Sequence, residues 1–345
     1  MGRRRGFFQT LAQEAAKAER AQRRRQRELL AQERASQRAY AATQQELERE
    51  HAQREADIFA NTVELLLSVH HETSPSIDWS AIKAIDRPIA STVDVRGSKL
   101  AHEALEAYEP GFFERLFGLT GRWRRLETRL ADALRAEKEQ QERTARENLI
   151  ATERWTQQNA LASAVLAGAA EAYDQVLDES GCLEELHDLE CKPTVRWVGP
   201  EIGHVQLEAP GLDAVVPVEE KNITARGKLT TKAMAAGKRW TIYQDFLCGA
   251  ALRAARETLS VLPVEGVVVD VSIALLNSTT GHHDNSTVVS VYCPREAMGK
   301  INFVNADPSD VVESFKHSMK FTRSKGVAAV TPINPREVAG NRARS

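Results

Sequence analysis

Residues 10–72 contain neither proline nor glycine, and Ala, Gln, Glu and Arg dominate them. These side chains lose little freedom on a helical backbone, so the stretch specifies one long helix. Its first two-thirds offers few large apolar residues, chiefly Leu11, Leu29, Leu30, Tyr40 and Leu47, which leaves a thin, Ala-based stripe for packing. Toward the end, Ile58, Phe59, Val63, Leu65, Leu66, Leu67 and Val69 widen into a face that can be buried. Pro75, Asp78 and Pro88 then break the helix.

Residues 120–176 carry a second helical signal. Trp123, Leu126, Leu130 and Leu134 recur at three- and four-residue steps, and Leu149, Trp155, Leu161, Val165 and Leu166 resume the apolar face. Narrow apolar seams are buried only against another helix, so an antiparallel, coiled-coil-like hairpin of the two is expected. Pro110, Gly111, Phe112, Phe113, Leu116, Phe117 and Gly118 would form the turn region, with the aromatics packed under it.

Beyond Gly181 the texture changes. Short β-rich runs at 194–198, 205–207 and 214–218 are punctuated by Gly199-Pro200, Gly203 and Pro210-Gly211, as in a small antiparallel sheet. Residues 239–262 place Trp240, Tyr243, Phe246, Leu247, Ala250, Ala251, Ala254 and Leu259 at helical spacing. Residues 266–276 read as a buried strand, 287–292 as its partner, and 277–285 as the loop between them. A final helix is expected at 308–319, with Val311, Val312 and Phe315 inward, followed by a fraying tail. The fold class expected is therefore α+β. Residues 1–180 form the long N-terminal helical hairpin with a hinge near 75–120, 181–331 a small mixed domain with a mainly antiparallel sheet, and 332–345 a flexible tail.

A length of 345 residues fits two such units. The net charge of −2 conceals segregation. Residues 1–30 hold nine Lys/Arg against three Glu, whereas 171–220 hold thirteen acids against Lys192 and Arg196 alone. Cys182, Cys191, Cys248 and Cys293 are scattered, which suits reduced thiols in a cytoplasmic protein. Residues 9–25 lack the apolar run that a twin-arginine export signal needs after Arg3–Arg5. No run reaches the roughly 20 apolar residues of a membrane span.

Several clusters invite chemistry. Asp213, Glu219 and Lys221 have the residue types of a PD-(D/E)xK nuclease, in which two carboxylates hold Mg²⁺ and the lysine stabilises developing charge. Asp213 and Glu219, however, read as one strand rather than neighbouring ones. Cys182, His187, Cys191 and His204 are zinc-type ligands at spacings that match no compact knuckle. His282-His283-Asp284 sits in a loop where a base or metal ligand could lie, and Cys248 falls on an apolar helical stripe. The strongest signal is basic. Lys221, Arg226, Lys228, Lys232, Lys238 and Arg239 occur in 221–239 without one acid, around Gly227 and Gly237. A loop of this kind neutralises backbone phosphates without reading sequence. The alternative, which the balance of nearby acids favours, is that it docks on the chain's own acidic stretch, 174–220. Lys316, Lys320, Arg323 and Lys325 make a second basic cluster, and Arg3–Arg5 with Arg23–Arg25 and Arg27 a third.

Three segments also carry a family likeness: Arg3-Arg4-Arg5-Gly6-Phe7-Phe8 before the Ala/Gln/Arg helix, Pro110-Gly111-Phe112-Phe113-Glu114-Arg115-Leu116-Phe117-Gly118, and Val216-Pro217-Val218-Glu219-Glu220-Lys221 leading to Tyr243 and Ala250-Ala251-Leu252-Arg253. In these the chain resembles bacterial restriction-endonuclease-like proteins of the Mrr type. The resemblance implies a coiled-coil and α+β region that precedes a separate nuclease domain, with no position here for that domain's catalytic residues. It implies a DNA-related or defence-associated accessory module, with cleavage left to another polypeptide or lost, and a nuclease or helicase as the possible partner. The expectation is thus a non-catalytic, self-associating cytoplasmic protein without cofactor or metal, touching nucleic acid or a nuclease through Lys221, Arg226, Lys228, Lys232, Lys238 and Arg239. A Mg²⁺-dependent nuclease using Asp213, Glu219 and Lys221 is the alternative, and a structural coiled-coil scaffold a third reading.

Overall fold

The proline-free stretch forms one helix, α1 (Arg3–Ser68), in the computed structural model, which describes residues 3–118, 120–276 and 280–342. The side chains of Arg3–Arg5, Phe7, Phe8, Leu11 and Arg23 lie outside the described residues, as do residues 277–279 of the expected loop and the last residues of the tail. After α1 come α2 (Trp79–Lys83), α3 (Arg96–Glu106), α4 (Phe112–Phe117), α5 (Gly121–Leu166), α6 (Ala170–Ser180) and α7 (Glu185–Asp188). There follow β1 (Lys192–Val198), β2 (Ile202–Glu208), α8 (Leu212–Val215), β3 (Glu219–Ile223), β4 (Leu229–Ala233) and α9 (Ala236–Val261). The chain continues with β5 (Gly266–Leu276), β6 (His283–Pro294), α10 (Arg295–Met298), α11 (Pro308–Ser314), β7 (Lys316–Met319), β8 (Phe321–Thr322), β9 (Gly326–Val327) and α12 (Pro335–Arg342).

The α+β class stands, with a mainly antiparallel sheet. Five strands run in the order β1-β2-β5-β6-β7, and only the β2–β5 pair is parallel. The crossover between that pair carries α8, the separate β3–β4 hairpin and α9. Alternation along β5 sends Val267, Val269 and Val271 into the main core with α9, and Val268 to the opposite face with Ile202, Tyr292, Ile333 and Val338.

Helix α9 is buried around its circumference from Ile242 to Ala255, because the sheet covers one side and α1, α6 and α11 cover others. Truncating a side chain such as Phe246 or Leu252, both 0% exposed, would cost about 2–5 kcal/mol. Gly249 lets the end of α1 cross closely: a Cβ there would sit 3.5 Å from Val69 Cβ and 3.6 Å from His70 Nδ1.

Six expectations need correction. No α1–α5 hairpin is seen among the described residues: α1 leans on α9 and the β3–β4 hairpin, while α5 packs on α2, α3 and α6. The physical reason is competition from nearer partners. Polar side chains on one face of α5 hold the extended chain before α3, Asn148 exchanging hydrogen bonds with Ser91 at 2.9 Å, Trp155 donating to the Ile85 carbonyl at 2.7 Å and Asn159 to that of Lys83 at 3.0 Å. The second helical signal is also split, at Gly168. Residues 214–218 are not a strand, since α8 takes their first half. The expected helix 308–319 stops at Ser314, and β7 then pairs with β6. The tail does not fray at 332: Ile333 and Val338 pack on Ile202, Val268 and Tyr292. The turn-region aromatics Phe112, Phe113 and Phe117 are exposed rather than tucked beneath it.

Gly168 has φ +76° and lies against Pro200, where an added Cβ would come within 2.2 Å of the proline Cβ. Gly168→Ala therefore combines left-handed strain with a backbone-anchored clash. A loss of about 1–3 kcal/mol is expected as a lower urea midpoint at unchanged slope, and an unaltered midpoint would show that α6 need not turn there.

Candidate nucleic-acid interface

The six basic residues of 221–239 do not form one uniform loop. Strands β3 and β4 pair in register from Glu219↔Ala233 to Ile223↔Leu229, with the turn between them closed by Gly227 at φ +75°. Lys221 faces α1 and donates to Glu55 Oε2 at 2.6 Å. Lys238 reaches Glu220 at 3.0 Å, and Arg239 reaches Asp213 Oδ1 at 2.8 Å and the Val216 carbonyl at 2.9 Å. Three of the six are thus spent on the protein's own acids, two of them within the acidic stretch that precedes the hairpin.

Arg226, Lys228 and Lys232 are exposed and make no ion pair among the described residues. Arg49 on α1 joins them, since its aliphatic stem lies beside the turn, 3.2 Å from where a Gly227 Cβ would stand. Sequence reading missed Arg49 and Glu55, because nothing in a uniformly charged helix marks which side chains meet a hairpin 166 residues away. The arrangement is a two-stranded ribbon clamped to α1 by one ion pair, with Arg49, Arg226 and Lys228 at or beside its tip and Lys232 near its open end, across from Glu220. It can attract a polyanion but holds no group placed for bond making.

The other candidates do not assemble. Among the described residues no three His, Cys, Asp or Glu side chains gather to hold a metal ion. Asp213 sits in α8 while Glu219 opens β3, so the two are not on one strand as expected. Cys182 and Cys191 are buried, His187 is exposed on α7, and His204 is committed elsewhere. His282, His283 and Asp284 lie exposed at the far end of the β5–β6 pair. Cys248 is 0% exposed in the core, and burial raises its thiol, as it does the Cys191 and Cys293 thiols, pushed up to about 12.

One polar constellation emerges on the second face of the sheet. His204 Nε2 lies 2.7 Å from Asp270 Oδ2, Ser290 Oγ donates to Asp270 Oδ1 at 2.5 Å, and the Ile333 N–H donates to Ser290 Oγ at 2.9 Å. The serine hydroxyl is spent on the carboxylate rather than on the imidazole, so no nucleophile–base pair exists. The network pins the tail segment to β6. Its sequence signal was an acid interrupting the run from Val267 to Val271.

No protein-family model, curated protein or solved structure matches this chain. Among the described residues no helix is long and apolar enough to cross a membrane.

The Lys221 ammonium, by hydrogen bond and charge, holds the Glu55 carboxyl below the ordinary glutamate value. A carboxyl that titrates lower when folded contributes stability fully present above its unfolded pKa of about 4.3 and lost as pH falls through the depressed value. Amide protection at 219–233, corrected for intrinsic exchange, should therefore drop on acidification through that window. In Glu55→Gln it should be low and flat at every pH, and wild-type protection in that variant would show that Lys221 does not anchor the hairpin.

Proposed function

We propose that this protein is a non-catalytic module that binds nucleic acid through the β3–β4 hairpin and the adjoining face of α1. The observation that carries this reading is the set Arg49, Arg226, Lys228 and Lys232, exposed and without a carboxylate partner among the described residues on a ribbon fixed by Lys221–Glu55. Such contacts go to phosphates, bind by counterion release and carry no base readout. The three paired basic residues, Lys221, Lys238 and Arg239, position the ribbon instead of touching the ligand.

The arm has a second role in this reading. Leu29, Tyr40, Leu47 and Ile58 recur at eleven- and seven-residue steps on α1, which puts them near one helical face, and all are more than half exposed. That stripe suits self-association or a partner helix. A restriction- or defence-associated setting, in which a nuclease or helicase partner supplies the chemistry, follows from the family resemblance.

Anisotropy titration of a labelled DNA duplex between roughly 50 and 200 mM salt tests the interface. The triple variant Arg226→Ala, Lys228→Ala, Lys232→Ala should weaken binding at low salt and flatten the log–log salt slope by about 2 to 3, near 0.9 per lost phosphate contact. Lys238→Ala should leave the slope nearly unchanged. Equal affinity and slope in the triple variant would refute the assignment.

A further inference from the structure

A second basic feature lies where α1 hands over to the head. A surface cavity of about 570 Å³ is bounded by the segment after α1, by α9 and by α10. Its charged lining is Arg256 and Arg295, with no acid among the lining residues, and Thr73, Ser74, Ser76 and Ser260 add hydroxyls.

Both guanidinium groups are held in place by carbonyl oxygens rather than by carboxylates. Arg256 Nη1 donates to the carbonyls of His70, His71 at 3.1 Å and Glu72 at 3.3 Å, and its guanidinium carbon sits 4.1 Å over the Phe303 ring. Arg295 Nε donates to the Val264 carbonyl at 2.7 Å and its Nη2 to that of Leu262. Neither forms a salt bridge among the described residues. Arg256 Nε and Nη2 and Arg295 Nη1 have no protein partner there, and neither do the Thr73, Ser74 and Ser76 hydroxyls. Burial draws both guanidinium groups below the ordinary arginine value, a cost that an anion in the cavity would offset. Glu257 favours the charge of Arg256 and Glu265 that of Arg295, while Arg253 opposes that of Arg256.

We infer that this cavity is a binding site for a small phosphate-bearing ligand, with Arg256 and Arg295 as the charged donors and the hydroxyls of Thr73 and Ser76 completing the shell. Two fixed guanidinium forks with spare N–H groups match phosphate oxygens in a way that mobile lysines do not. The volume lies in the range of small-molecule sites. Since Arg256 also holds the last carbonyls before the chain leaves α1 for the head, occupancy would stiffen the junction between them.

Isothermal titration of the full chain with inorganic pyrophosphate, at constant ionic strength, tests the site, with ADP and adenosine in parallel. Pyrophosphate and ADP should bind at one site per chain and adenosine should not. Thr73→Asp with Ser76→Asp places carboxylates at two exposed positions whose side chains make no hydrogen bond among the described residues, and should weaken pyrophosphate binding at least tenfold. Arg295→Lys, which keeps the charge and loses the fork, should weaken it severalfold. The hairpin triple variant should bind pyrophosphate like wild type. No heat of binding at millimolar pyrophosphate, adenosine binding as well as ADP, or loss only in the hairpin variant would each overturn the inference. These outcomes do not depend on whether the hairpin binds DNA.

Discussion

One turn of α9, residues 253–257, ties the long arm to the sheet domain. Glu257 is 0% exposed, and its carboxylate accepts the Ser74 N–H at 3.0 and 3.2 Å together with Arg253 Nε at 2.6 Å. Arg253 also reaches Glu185 on α7, and Arg256 takes the carbonyls that end the α1 segment. A buried pair of this kind is costly to break from one side, about 3–5 kcal/mol, because the survivor keeps its charge without water. Trp79 donating to the Val261 carbonyl at 2.7 Å and Ile77 N–H to that of Ser260 at 2.9 Å continue the same seam. The direction in which α1 leaves the head is set there. That direction in turn places Glu55 against Lys221, so the hairpin's position is a consequence of the seam.

The protein's charged groups divide by what each one touches. Acids and bases that meet in pairs, Glu55 with Lys221, Glu220 with Lys238 and Asp213 with Arg239, hold backbone in place. Among the basic residues without an ion pair in the described residues are Arg226, Lys228 and Lys232 on the hairpin and Arg256 and Arg295 at the cavity beside the seam. Among the described residues neither place is accompanied by a cluster of His, Cys, Asp and Glu that could hold a metal ion.

Much of the fold was legible in local pattern. The absence of Pro and Gly from 10–72 gave most of α1, the stripe from Trp240 to Leu259 gave α9 to within three residues, and the valine-rich 266–276 gave β5 at its observed bounds. What was not legible depended on partners distant in sequence. Nothing local says that α5 will hold the chain at 85–91 through Asn148 and Trp155 instead of pairing with α1. At the candidate site the hairpin's basic residues were visible, but their division into paired and free was not, because Glu55 comes from another element and Asp213 from a helix that reads as strand. The tail looked polar in sequence, yet Ile333 and Val338 suffice to seat it once the sheet offers an apolar patch.

Arm and head form one unit through α9. Pulsed electron spin resonance between labels at Gln45→Cys on α1 and Thr194→Cys on β1 measures it directly, because Cys182, Cys191, Cys248 and Cys293 are buried and the two introduced sites are exposed. A single narrow distance distribution that broadens in Glu257→Gln is the result the account requires. A broad distribution in the otherwise unaltered protein would contradict it.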